Sequence, residues 1–210
     1  MDTTLIPDLL AVVLFLVALV ISVRAFYVYA QSQSPRLFIL GLSLGIIALT
    51  AAADFVSSHV QGFALHTDWF LYVGQAVSFL FILLSFVRSS DEYFRVLMRA
   101  HVFASMLVLC LLFLAPVLPD LPNVTLRAVL SGSRCAVCFL IFFYYISAFL
   151  NKQARFSLLM SISFLLLSFG YLLIMEQYFA PGSNQSVFDN AGDVTRIVGL
   201  ATFLVAMFGR

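Results

Sequence analysis

A chain of 210 residues with a mean hydropathy of +1.08, 63% hydrophobic residues and only 10% charged ones cannot be an ordinary soluble domain, where about a quarter of residues carry charge. A formal net charge of +1, with no long basic block, gives no footing for nucleic-acid binding. The composition is that of an integral membrane protein, and the length accommodates about seven spans of roughly 20 residues in one helical domain with no separate soluble part.

Apolar runs bounded by polar punctuation predict seven transmembrane helices, over residues 5–29, 37–57, 69–87, 96–114, 124–150, 156–179 and 194–208. The first run is accompanied by Asp2 and Asp8 rather than a positive leader region, and Arg24 follows its apolar centre. That order opposes a cleaved signal peptide and favours a first helix inserted with its N-terminus outside. Gln31-Ser32-Gln33-Ser34-Pro35 joins the first two helices. Ser89-Ser90-Asp91-Glu92 reads as a cap and acidic first turn for the fourth. Pro116, Pro119 and Pro122 close the fourth helix and open the fifth, Asn151-Lys152-Gln153 forms a tight turn, and Pro181-Gly182-Ser183-Asn184 begins the longest loop.

Alternating crossings place Arg24, Arg36, Arg88, Arg95, Arg99, Lys152, Arg155 and Arg210 on one side, and by the positive-inside rule that side is the cytoplasm. Asp2, Asp8, Asp68, Asp120, Asp189 and Asp193 collect on the other, with His66 and Trp69 near the interface. The expected protein is therefore an all-α, seven-helix bundle with its N-terminus outside and its C-terminus cytoplasmic, in the cell (plasma) membrane.

Charges inside the apolar runs carry the functional signal. On the fifth helix Arg127, Ser131, Arg134 and Cys138 recur at spacings of three and four, which puts them on one face. An arginine within a span needs a partner or a wet cavity. Counting inward from the outer boundary, Asp54, Arg134, Glu176 and Arg196 fall at similar depth, roughly 5 to 10 Å below the surface at about 1.5 Å per residue. Arg127 and Asp193 lie nearer the mouth, Asp193 three residues before Arg196 and so on its face. Ser43, Thr50, Asp54 and Ser58 form a polar stripe on the second helix, opposite a small-residue stripe of Gly41, Gly45, Ala48 and Ala52 suited to close packing. Gln75, Ser78 and Ser85 share a face of the third helix. Helices 1 and 4 lack such stripes and are expected to face lipid more, while helices 2, 3, 5, 6 and 7 line a polar interior.

The Arg/Asp/Glu layer has two readings. It is either an ionic lock that fixes helix register, or the floor of an outward-facing pocket whose arginines grip a carboxylate or phosphate through paired N–H donors. A ligand that replaced one partner would unlock the pair, so the two readings combine into a switch.

Other motifs are less informative. Cys135-Ala-Val-Cys138 is a C-x-x-C beside Arg134, but only Cys110 remains as a further thiol, so small packing residues are favoured over redox catalysis. His59, His66 and His101 lack the matched depth of a haem clamp, and a metal at His59, His66 and Asp68 is weaker than ordinary interfacial histidines; no cofactor is expected. The architecture resembles that of retinal proteins and other seven-helix receptors, without any shared motif. Retinal attachment implies a lysine in the seventh helix, and the only lysine is Lys152. Asn123-Val-Thr125 and Asn184-Gln-Ser186 fit the N-glycosylation pattern on the outer side. The 23 Phe and the Phe142-Phe143-Tyr144-Tyr145 run are read as lipid-facing and packing surface.

These observations favour a non-enzymatic receptor or sensor module for a small anionic or zwitterionic ligand. The alternatives are a structural or assembly subunit bound to a membrane-protein partner and a small-solute transporter; the latter is disfavoured by the lack of an internal repeat. An end at Gly209-Arg210, just after the seventh helix, fits a sensor region of a longer signalling chain or a subunit whose output domain belongs to a partner.

Overall fold

A computed structural model of the chain describes residues 5–59, 66–87, 90–119, 123–179 and 185–209. It contains seven α-helices: α1 Leu5–Ser32, α2 Pro35–His59, α3 Asp68–Val87, α4 Asp91–Leu114, α5 Val124–Lys152, α6 Arg155–Glu176 and α7 Gln185–Phe208. All seven are long and apolar enough to cross a membrane. Large apolar side chains stand exposed along them, among them Phe113, Leu150, Phe103 and Val205. In water such a surface would aggregate, and in lipid it is the expected exterior. The protein is thus of the integral membrane class.

Each predicted span contains a helix, but two begin earlier than hydropathy indicates. Helix α4 starts at Asp91 rather than residue 96, because Ser90 caps it: the Tyr93 amide donates to the Ser90 hydroxyl at 3.4 Å, and Asp91 and Glu92 occupy the first turn. Helix α7 starts at Gln185, nine residues before the expected 194. Ser186, Asp189, Asn190 and Asp193 lower the local hydropathy without opposing helical geometry, so the stretch from Gln185 onward is helix rather than loop. Helix α6 ends at Glu176, and residues 177–179 form a turn. Of the expected tight turn Asn151-Lys152-Gln153, Asn151 and Lys152 instead complete α5, and the chain breaks from the helix at Gln153, left-handed at φ 48° with its amide donating to the Phe149 carbonyl.

The chain divides into two compact units, Ala18–Pro122 and Met1–Val17 with Asn123–Arg210. In the first, α2 packs on α1 through the small-residue stripe. A Cβ on Gly41 would stand 3.2 Å from the Phe26 ring, and one on Gly45 would stand 3.1 Å from Ser22 Oγ. Ser22 donates to the Gly41 carbonyl at 2.7 Å. Helix α3 runs antiparallel to α2 and α4, and the three meet in register, with Arg36 beside Phe94 at one end and Thr67 donating to Ser57 at the other. Between these ends lies a neutral polar seam. Ser43 donates to the Ser78 carbonyl at 3.0 Å and lies 3.4 Å from His101 Nε2, while Gln75 donates to Thr50 Oγ1 at 3.1 Å.

This seam corrects one expectation. Helix α4 does bear a buried polar face, formed by His101 and Ser105, and His101 stacks on Phe81 at 4.2 Å. Helix α5, expected to line the interior, is the least enclosed: 17% of its apolar window is buried, against 22% for α4 and 28% for α1. It buries one narrow stripe, Ala128, Ser131, Arg134, Cys138 and Ile141.

In the second unit α5 packs antiparallel on α6, and α6 on α7. Tyr145 stacks on Phe164 at 5.9 Å, Phe164 meets Phe203 edge-on at 5.9 Å, and Ser163 donates to the Gly199 carbonyl at 2.8 Å. Ser168 donates to the Cys135 carbonyl at 3.0 Å.

Candidate functional site

The three-four periodicity of α5 turns Arg134 inward, where it is 1% exposed and is among the largest fully buried side chains. Its Nε donates to the Leu130 carbonyl at 3.2 Å and its terminal nitrogen to Ser131 Oγ at 2.7 Å. Both acceptors lie one turn earlier on the same helix, so α5 anchors the guanidinium with its own backbone and hydroxyl. On α7, Arg196 is 8% exposed and pairs with Asp193 across one turn. Its Nε is buried without a hydrogen-bond partner among the described residues.

Tyr171 of α6 joins the two arginines. The Arg134 guanidinium carbon lies 4.7 Å from the ring centroid, and that of Arg196 lies 5.2 Å from it. The ring's negative faces attract cations more strongly when water is excluded, so a buried tyrosine can hold two guanidiniums that would otherwise repel. Arg134 and Arg196 stand roughly 15 Å along their helices from Val124 and Gln185.

Two glycines allow this approach. A Cβ on Gly170 would come within 2.6 Å of Arg196 Cγ and 2.9 Å of the Gly192 carbonyl oxygen; one on Gly192 would come within 2.7 Å of Ile174 Cγ1 and 2.9 Å of the Gly170 carbonyl oxygen. Backbone thus lies against backbone where α6 crosses α7, and Arg196 reaches Tyr171 over the glycine surface.

Of the residues expected to share the layer, the structure brings Arg134, Arg196 and Asp193 into one cluster. Asp189 lies one turn before Asp193 on α7. Arg127 is half-buried on α5, two turns before Arg134. Glu176 ends α6 with its side chain exposed and makes no ion pair with a described residue. Asp54 is exposed on α2 and belongs to the other unit.

Sequence reasoning passed over Tyr171, Gly170 and Gly192. Tyr171 sits in an apolar run where any aromatic reads as packing, and its partners come from helices 37 positions before and 25 after it. The spacing of Gly192 and Gly199 at one heptad on α7 was the available signal for a close helix contact.

Cys135 lies 3.3 Å from Ser168 Oγ, Cys138 is fully buried, and both are free thiols. The side chain of His59 and the expected connections at residues 60–65 lie outside the described residues, as do Arg88, Ser89, Asp120, Pro122, Asn184 and Arg210. Among the described residues no three His, Cys, Asp or Glu side chains converge as a metal centre requires.

No family model matches this chain, and comparison with curated proteins and with solved structures finds no similar one.

Proposed function

We propose that the protein is a receptor or sensor module of the plasma membrane, with its N-terminus outside, whose α5–α6–α7 unit binds the carboxylate or phosphate of a small anionic or zwitterionic ligand. The observation that carries this reading is the convergence of two buried guanidiniums on Tyr171, with Arg196 Nε lacking a hydrogen-bond partner among the described residues. A buried donor without an acceptor is costly, and an oxyanion beside it supplies one. Asp193 holds the place such an oxyanion would take on Arg196, so the ligand competes with Asp193 and frees α7 to shift against α6. The glycine contact of Gly170 with Gly192 is the surface over which that shift would slide.

A second reading, a structural lock within a larger membrane assembly, is favoured by the Asp193–Arg196 pair itself, since it neutralises one of the two arginines internally.

Purified protein in nanodiscs, heated with millimolar glutamate, succinate or inorganic phosphate, separates them. At least one of these anions raises the unfolding temperature of the native protein. Arg134→Lys, which keeps the charge but loses the planar fork, abolishes the rise while leaving the protein folded. No anion-dependent rise in the native protein, together with an obligatory partner on purification, would favour the lock.

A further inference from the structure

Within the Ala18–Pro122 unit, α4 turns a second face outward. Met98, Val102, Phe103 and Met106 line an open apolar groove of about 400 Å³, closed on the α2 side by Phe38 and bounded at one end by Arg99. Phe38 is held from behind by edge-on contacts with Phe26 at 5.8 Å and Tyr29 at 5.3 Å, so the wall of the groove is fixed. Phe103 and Met106 are 65% and 61% exposed.

The groove is unlike a plain lipid-facing surface because of the charge at its end. Arg99 is eight residues into α4, roughly 12 Å along the helix from Asp91. Its side chain is exposed and makes no ion pair with a described residue. Arg95, one turn nearer the helix start, is likewise exposed, and Arg36 is placed at the same end by its contact with Phe94 at 5.5 Å. Asp91 and Glu92 are on the first turn of α4, nearer the helix end than either Arg95 or Arg99. An arginine on the lipid-facing side of a span reaches toward the headgroups and takes a phosphate as its counter-ion. A thioether- and phenyl-lined slot beneath that cation matches an acyl chain.

We infer that this groove is a binding site for an anionic phospholipid, its phosphate held by Arg99 with Arg95 and Arg36 at the rim and one acyl chain lying along Phe38, Val102, Phe103 and Met106. The inference is independent of the Arg134–Tyr171–Arg196 site. The proposed topology puts this end in the cytoplasmic leaflet, where anionic lipids are concentrated.

The test is native mass spectrometry of the full chain released from nanodiscs of equimolar phosphatidylglycerol and phosphatidylcholine. The native protein retains phosphatidylglycerol in preference, and Arg99→Gln lowers that preference roughly fivefold, the effect of one basic residue at an anionic surface. Val102→Trp, which fills the slot, lowers retention of both lipids while the unfolding temperature is unchanged. Equal retention of the two lipids by the native protein, or an unaltered preference in Arg99→Gln, overturns the proposal. So does efficient disulfide cross-linking of Met106→Cys between two copies in the same nanodiscs, since a second chain would then occupy the groove.

Discussion

The two units bury polar groups in different ways. Between α2, α3 and α4 the seam is neutral: Ser43, Thr50, Gln75, Ser78 and His101 bond to one another or to helix carbonyls. Between α5, α6 and α7 the centre is charged, with Arg134 and Arg196 both against Tyr171 and one carboxylate bonded to Arg196. Neutral hydroxyls and amides in a helical bundle contribute modestly, because helices separated in lipid also find partners for them. Charges at depth have no such alternative, so the second unit depends on its contacts remaining assembled. The first arrangement serves packing, and the second concentrates the electrostatic free energy on which a ligand could act.

The largest expected effect that would break this contrast is at the α6–α7 crossing. Gly192→Val places carbons where Ile174 and the Gly170 carbonyl oxygen already stand, and neither is the loose end of a flexible side chain. The expected loss is at or above the ~3 kcal/mol upper end of ordinary overpacking, read as loss of a monodisperse folded species on gel filtration. Gly132→Ala serves as the control. Its new carbon meets only the sulfur of Met175 at 3.1 Å, and it should lower the unfolding temperature slightly.

Next comes the charge pair. Arg196→Leu leaves Asp193 within the bundle without its guanidinium and is expected to destabilise the protein by about 3 kcal/mol. Adding Asp193→Asn should recover most of this loss, measured as the shift in thermal midpoint in nanodiscs. A double variant as unstable as the single one would show that Arg196 contributes mainly through Tyr171 instead.

The smallest effect sharpens the comparison from the other unit. Ser43→Ala removes the hydroxyl between the Ser78 carbonyl and His101, and the loss is expected to be about 0.6 kcal/mol, the average for hydrogen bonds between membrane helices. A loss as large as that of Arg196→Leu would show that the neutral seam, too, holds a critical network.

Much of this organisation follows from the sequence by itself. A bilayer requires about 20 consecutive apolar residues for a helix to cross, so seven such runs predict seven helices. Periodicity identified Ser131, Arg134 and Cys138 of the buried α5 stripe, though not Arg127, which is half-buried, and the buried Gln75, Ser78 and Ser85 of α3, because a helix repeats every 3.6 residues whatever packs against it. The first turns of α7 were not legible from hydropathy, which measures affinity for lipid rather than the tendency to form a helix.

Spacing within α7 already set Asp193 beside Arg196, but tertiary structure decided which charges of different helices meet. Counting inward along the chain assigns Asp54, Glu176, Arg134 and Arg196 similar depth, yet Glu176 ends α6 while Arg134 and Arg196 stand roughly 15 Å into their helices, and a contact also depends on how each helix is rotated and how closely its neighbour approaches. The missing coordinates were supplied by Gly170 and Gly192, which let two backbones touch and bring Arg196 against Tyr171. The cluster is therefore made by residues with no charge as much as by the arginines it holds.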